Sequence, residues 1–241
     1  MSSTAGLSRL SALFLLFFFF LSVSAKTFTW NCGNSVGTCN NYCYYAKCRS
    51  GAKRSFTYDP NKSNARKRRV ASGCSKNPCG RKSRLPFKKF GRSCDEFPFA
   101  STKEGGKGAQ LRCVNPHENS SEGGQLRGFY RKLKPGERYG ITIRNYGKAR
   151  YCARRTCKND GGQFYLNSNR KFVGNRPRAL NDASGFTMNE GNEAPADLKQ
   201  VETEDGATHL VLAEDPDDPI GAGSQLWDSE TDKSHTVVRV L

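Results

Sequence analysis

Three neighbouring stretches decide how this chain is read: Gly108–Val114 (GAQLRCV), Glu122–Leu133 (EGGQLRGFYRKL) and Arg138–Tyr146 (RYGITIRNY). The first and third alternate apolar with polar residues, as half-buried strands do, the third more strongly. The middle stretch has apolar residues at 126, 129, 130 and 133, the spacing of one helix face, despite its three glycines. Lys134-Pro135-Gly136 then stops it. The expected order is strand, polar turn, helix, strand.

Around this centre the charge is strongly biased. The chain has 241 residues and 39 Lys plus Arg against 22 Asp plus Glu, a formal net charge of +17. Hydrophobic residues make up 36% and aromatics 11%, too many for a disordered polyelectrolyte, and the length suffices for a sizeable core. A surplus of this size favours anionic partners: nucleic acid, an acidic polysaccharide or an anionic membrane surface. The surplus is also unevenly placed. Residues 26–175 hold 33 basic against 8 acidic residues, or +25, whereas 176–241 hold 5 against 14, or −9. The chain therefore reads as a basic body, 26–175, followed by an acidic segment, 176–241. That segment contains β-like runs, Thr208–Ala213 and Thr236–Leu241, around the turn-rich Asp215–Pro219. Two roles are open for it: a mimic that docks on the basic body and competes with DNA, or an ordinary packed subdomain.

Residues 1–25 carry Arg9, an apolar run from Ala12 to Val23 and then Val23-Ser24-Ala25, the pattern of a secretory signal peptide with a small-residue cleavage site. The run is too short for a bilayer span. A secreted, extracellular mature protein beginning at Lys26 is expected. Its ten cysteines, Cys32, Cys39, Cys43, Cys48, Cys74, Cys79, Cys94, Cys113, Cys152 and Cys157, are an even number, so five disulfides are expected rather than zinc, for which no His falls at ligand spacing. Sequence does not fix the pairing. Locality suggests two bridges within Cys32–Cys48 and short loops at 74–79, 94–113 and 152–157.

Ala65–Val70 (ARKRRV) and Lys76–Lys89 (KNPCGRKSRLPFKK) read as basic stapled loops rather than helices, either a solvated surface or processing site or loops that contact phosphate. Phe28, Trp30, Tyr42, Tyr44 and Tyr45 read as core. The informative residues are the rare ones. His117 is the body's one histidine, and five of its eight acids, Asp95, Glu96, Glu104, Glu118 and Glu122, fall within 28 residues. Carboxylates repel a phosphate backbone unless a metal bridges the two, so such a cluster in a basic chain should hold a cation or act as a base. His117 paired with Glu118 or Glu122 is a metal-free alternative.

Cys94-Asp95-Glu96-Phe97-Pro98-Phe99-Ala100, then Glu104-Gly105-Gly106-Lys107-Gly108-Ala109, then Glu118-Asn119 resembles the NucA/NucB deoxyribonuclease family over about 93–146. The cysteine region, with Cys39-Asn40-Asn41-Tyr42-Cys43 and Ser72-Gly73-Cys74 to Cys79, is similar to that of secreted fungal members. The chain departs from the bacterial pattern at Glu118, where Asp is usual, and at Ser120-Ser121-Glu122.

The resemblance implies an α+β fold with a ββα-metal, His-Me finger-like core and a small antiparallel sheet, stapled by disulfides and followed by a β-rich or extended acidic segment. It implies a secreted, metal-dependent endonuclease cutting DNA, with RNA kept open, at little sequence preference. A monomer with one divalent cation, Mg²⁺ or Mn²⁺, is expected. Asp95 would be the general base, with Glu96 orienting it or ligating; Asn119, with Glu118 or Glu122, would present oxygen to the metal. Gly106, Lys107, Gly108 and Arg112 would bind phosphate. The alternative is a non-catalytic cationic protein coating anionic polymers or cell surfaces. Asn119-Ser120-Ser121 and Asn61-Lys62-Ser63 are also glycosylation sequons, and a glycan on Asn119 is incompatible with ligation.

Overall fold

The computed structural model describes residues 26–49, 51–175 and 198–241; the expected signal peptide, 1–25, lies outside them. Six strands close a barrel. In order around it they are β1 (Lys26–Asn31), β10 (Gln225–Asp228), β11 (Lys233–Val240), β8 (Gln200–Thr203), β9 (Thr208–Ala213) and β5 (Arg138–Arg144), which pairs back onto β1. β1 runs parallel to both its neighbours, and the remaining pairings are antiparallel. A two-residue strand, β2 (Phe56–Thr57), extends β5 on its outer side. A second sheet has the order β3 (Ser93–Phe97), β4 (Gln110–Val114), β6 (Gln163–Leu166), β7 (Phe172–Gly174).

This corrects the expected fold class. Among the described residues there are eleven strands and four α-helices, and the architecture is mostly sheet organised by a closed barrel, not an α+β fold on a ββα-metal core. Four of the barrel's six strands, β8 to β11, come from the acidic segment, and their carboxylates pair with barrel-strand arginines. Arg138 meets Asp215 at 2.8 Å and Arg144 meets Asp228 at 2.8 Å.

The helices are α1 (Val36–Cys48), α2 (Lys62–Ser72), α3 (Pro116–Tyr130) and α4 (Arg150–Ala153). α1 is buried nearly all round, as a helix packed between two layers must be, and contacts β3 and β4 on one side and β9 on the other. Its Tyr42, Tyr44 and Tyr45 join Phe28, Trp30, Phe97 and Phe129 in the main core, as expected of these aromatics. Cys43–Cys152 and Cys48–Cys157 fasten α1 to the segment carrying α4. Cys32–Cys39 closes the turn before α1, and Cys74–Cys94 and Cys79–Cys113 tie the loop after α2 to the β3–β4 hairpin. All ten cysteines are paired, but the bridges 74–79, 94–113 and 152–157 do not form, and of the two expected within Cys32–Cys48 only Cys32–Cys39 does: Cys43 and Cys48 pair far along the chain instead.

Ala65–Val70 is also corrected, from loop to helix. α2 has no Gly or Pro inside it; Asn61 Oδ1 caps its start by accepting from the Ser63 and Asn64 amides, and Gly73, at φ +95°, ends it. α3 begins six residues before the expected start, because Asn115 caps it and Pro116 occupies its first position.

Candidate functional site

A cleft of about 1080 Å³ opens between α2, the edge strand β3 and α3. Strand alternation distributes β3's side chains to two sides. Asp95 and Phe97 face α1, where Asn41 Nδ2 donates to Asp95 Oδ2 at 2.9 Å and Tyr42 and Tyr45 pack on the Phe97 ring. Cys94 and Glu96 face α2, where Cys94 is bridged to Cys74 and Glu96 Oε2 accepts from the Ser72 hydroxyl. Helical spacing on α3 brings Asn119, Glu122, Gly123, Leu126 and Tyr130 to the same cleft. Tyr42 donates to Glu122 Oε1 at 3.0 Å, and Asn119 Nδ2 donates to Ser93 Oγ at 2.8 Å. That bond leaves Asn119 Oδ1 with no protein partner among the described residues.

Asp95, Glu96 and Glu122 are all buried. Burial raises the Asp95 carboxyl well above the ordinary range, and the neighbouring Glu122 charge raises it further, against the Asn41 bond. Burial likewise pushes Glu122 up to about 7, opposed by the Tyr42 bond and reinforced by Glu96. Glu96 is raised by burial too, while the Ser72 bond and the Arg69 charge lower it. Among the described residues the one cation paired with them, Arg69, is largely exposed and stands 3.5 Å from Glu96. Three carboxylates thus lie buried along one cleft with little positive charge in contact with them. The mouth of the cleft supplies the opposite sign: Lys62, Arg69, Arg92, Arg127 and Arg131 all line it.

The donor set fits a hard divalent cation. Its atoms are carboxylate and amide oxygens, and a magnesium-like ion takes one or two carboxylates and keeps several waters. It does not fit an all-protein cage, since among the described residues no three His, Cys, Asp or Glu side chains are grouped to hold a metal.

Several expected site residues lie elsewhere. Glu118 turns from the cleft to the amino-terminal turn of α1, so close that a Cβ at Gly37 would fall 2.5 Å from its Oε2. The positive end of a helix favours a carboxylate there. Arg112 is held by Asp160 through two bonds of 3.0 and 2.8 Å and lies over the Phe90 ring, so its guanidinium is committed to the fold. Lys107 and Gly108 line a separate hollow with Arg170, and Gly106 packs against Arg68. Glu104 accepts from the Thr57 amide and hydroxyl, which makes this glycine-rich segment a structural turn. His117 is exposed and does not line the cleft. Conversely, Asn41, Tyr42 and Ser72 hold the three carboxylates and were not singled out for that role. Asn41 and Tyr42 lie within the Cys39–Cys43 motif, which was the available signal.

The family model described as Deoxyribonuclease NucA/NucB matches residues 42–142. The matched span runs from Tyr42 in α1 to Thr142 in β5 and includes all the cleft residues named above except Asn41. No curated protein matches the chain.

Proposed function

We propose that this cleft, which lies within the residues 42–142 matched by the NucA/NucB deoxyribonuclease family model, hydrolyses phosphodiester bonds of DNA, as a secreted, metal-dependent endonuclease. The observation that supports this most is the buried trio Asp95, Glu96 and Glu122, with the open Asn119 amide oxygen, inside a ring of five cations. The ring would gather the phosphate backbone. Phosphate contacts carry no base information, so little sequence preference follows.

Asp95 is the general base. Its Oδ2 is engaged by Asn41, which leaves Oδ1 to take a proton from the attacking water. Burial makes it a stronger base than an exposed carboxylate. Asn119 Oδ1 and Glu122 would hold the cation, which when bound would stabilise charge on the transferring phosphoryl group and leaving oxygen. Glu96, held by Ser72 and Arg69, positions the strand that carries Asp95 and keeps negative charge beside Glu122. As water attacks phosphorus, one P–O bond forms and another breaks, and the proton passes to Asp95. The Asn119 sequon must stay unmodified, since the Nδ2 that a glycan would occupy is bonded to Ser93.

The test is cleavage of supercoiled plasmid and of RNA by the chain lacking residues 1–25, with Mg²⁺, Mn²⁺ or EDTA, beside Asp95→Asn. Metal-dependent nicking that falls by about 10² to 10⁴ in the variant is expected. Cleavage surviving both EDTA and the substitution overturns the mechanism. Binding without cleavage in every metal supports the non-catalytic cationic alternative, and so does a glycan found on Asn119 by peptide mapping.

A further inference from the structure

The residues expected to bind phosphate lie away from the cleft, and the cleft's own cations stand at its mouth. A second groove, of about 620 Å³, continues from it. Arg84, Lys88, Lys89 and Arg92 line one side and Asn115 and Pro116 the other. Arg92 lines both groove and cleft, so the two are contiguous. No carboxylate lines the groove among the described residues.

Several arginines elsewhere are tied to carboxylates: Arg68 to Asp59, Arg112 to Asp160, Arg138 to Asp215 and Arg144 to Asp228. In the groove, Arg84, Lys88, Lys89 and Arg92 are exposed and have no acidic partner among the described residues; the Lys89 ammonium lies 5.0 Å from the Phe90 ring and beside Gly161.

The backbone beneath these cations is fixed. Phe87 is buried and stacks on Phe164 with centroids 4.1 Å apart and planes 6° apart. The Cys79–Cys113 bridge ties the approach to this loop to β4. Gly91 lies so close to the end of β4 that a Cβ there would sit 2.0 Å from the Val114 carbonyl, so the loop cannot lift without losing this contact. Four like charges are thus held together on a rigid surface, which lowers the ordering cost of binding a polyanion.

We infer that this groove holds the DNA strand flanking the scissile phosphate, with Arg84, Lys88 and Lys89 on successive phosphodiesters beyond the cleft. The inference rests on the nuclease reading. Each phosphate contact releases counterions, so the groove should set much of the salt dependence of binding and favour substrates long enough to reach it.

The test compares the wild type with Arg84→Gln/Lys88→Gln/Lys89→Gln and with a charge-matched control, Lys148→Gln/Arg154→Gln/Lys158→Gln, whose residues line neither groove nor cleft. Binding of a fluorescent duplex of about 20 base pairs is followed by anisotropy in EDTA, from about 50 to about 200 mM salt. Turnover is measured in Mg²⁺ or Mn²⁺ on that duplex and on bis(p-nitrophenyl) phosphate, which is too small to reach the groove. The groove variant should bind the duplex about tenfold or more weakly, with a log–log salt slope shallower by about 3, and its duplex-to-small-substrate ratio of kcat/KM should fall about tenfold. The control should keep nearly the wild-type slope. Equal slopes in the two variants, in a protein that cleaves, overturn the groove and leave the nuclease reading standing. If the wild type hydrolyses neither substrate in any metal while the groove variant still loses duplex affinity, the nuclease reading fails and the groove survives as a binding surface.

Discussion

Glu122→Gln should make the metal-free protein more stable. The Glu122 carboxyl is buried and pushed up to about 7 from an ordinary 4.5, so at pH 8 the fold carries a charge that its surroundings disfavour. Below 4.5 both folded and unfolded chains hold the proton and no cost arises. As pH rises from 4.5 to 7 the unfolded chain releases its proton first, and stability falls; above 7 the loss is complete. The gap corresponds to about 3 kcal/mol. Gln preserves the acceptor for the Tyr42 hydroxyl and cannot ionise, so in EDTA at pH 8 the variant should recover that amount. For a chain of this length about 3 kcal/mol is worth about 6–12 °C in Tm. Scanning calorimetry with EDTA reads it directly, and millimolar Mg²⁺ should raise the Tm of the wild type but not of the variant. A variant melting at or below the wild-type temperature in EDTA at pH 8 would refute the claim that this carboxylate is stored in an unfavourable charged state for a cation to relieve.

His209 supplies an opposing term. It is buried, its Nδ1 has no partner, and burial lowers it to about 4 while Asp205 pulls it upward and Arg144 and His235 push it down. A folded-state value below the unfolded 6.5 means stability is full above 6.5 and declines by up to about 3 kcal/mol as pH falls towards 4. This runs against the Glu122 effect over the same window, so urea melts in EDTA should show acidification from pH 7 to 4.5 stabilising His209→Gln more, and Glu122→Gln less, than it does the wild type. Arg112→Ala should destabilise by about 3 kcal/mol, because Asp160 is left without its guanidinium, yet bind DNA no worse than a charge-matched surface variant; a specific loss of affinity would return Arg112 to the phosphate site. Replacing both Cys43 and Cys152 with Ala opens one of two parallel bridges between α1 and the α4 segment; with Cys48–Cys157 intact the loop freed is only about a dozen residues, so the cost should be about 3 kcal/mol, visible as a Tm drop that matching single-residue controls do not show. Removing residues 176–241 takes away four of six barrel strands, so circular dichroism should report an unfolded chain; a folded fragment with tighter DNA binding would favour the docked-mimic role instead.

What the sequence made legible was local. β4, α3 and β5 announce themselves by alternation and helical spacing within a dozen residues each, and β9 matches its β-like run, Thr208–Ala213. The barrel has no such signature. Its closing pairs join residues 26–31 to 225–228 and to 139–144, and periodicity says which face of a strand is apolar but not which distant strand it meets. The disulfides misled for the same reason, since proximity in sequence is a poor guide when staples tie elements from opposite ends of the chain. α2 differs: its run of basic residues has no amphipathic spacing to mark a helix, and its signals are the N-cap at Asn61 and the stop at Gly73. Within the site, the acid cluster pointed correctly to Asp95, Glu96 and Glu122 as neighbours. It could not separate Glu122 from Glu118, one helical turn apart, because what draws Glu118 away is the start of α1, some eighty residues earlier. Nor could it show that Asp160, far along the chain, occupies Arg112.

The ring of strands also sets a schedule. Until the ribosome has delivered residues beyond 200, β1 and β5 have no β9 or β10 to cover their outer edges, and the α1 and α3 side chains that rest on those strands have an unfinished floor. The cleft residues are all synthesised by Arg131, about a hundred residues before the last strand, so translation makes the cleft side chains long before it makes the support that holds them. An interrupted chain would therefore carry every residue of the cleft without the closed barrel that positions it.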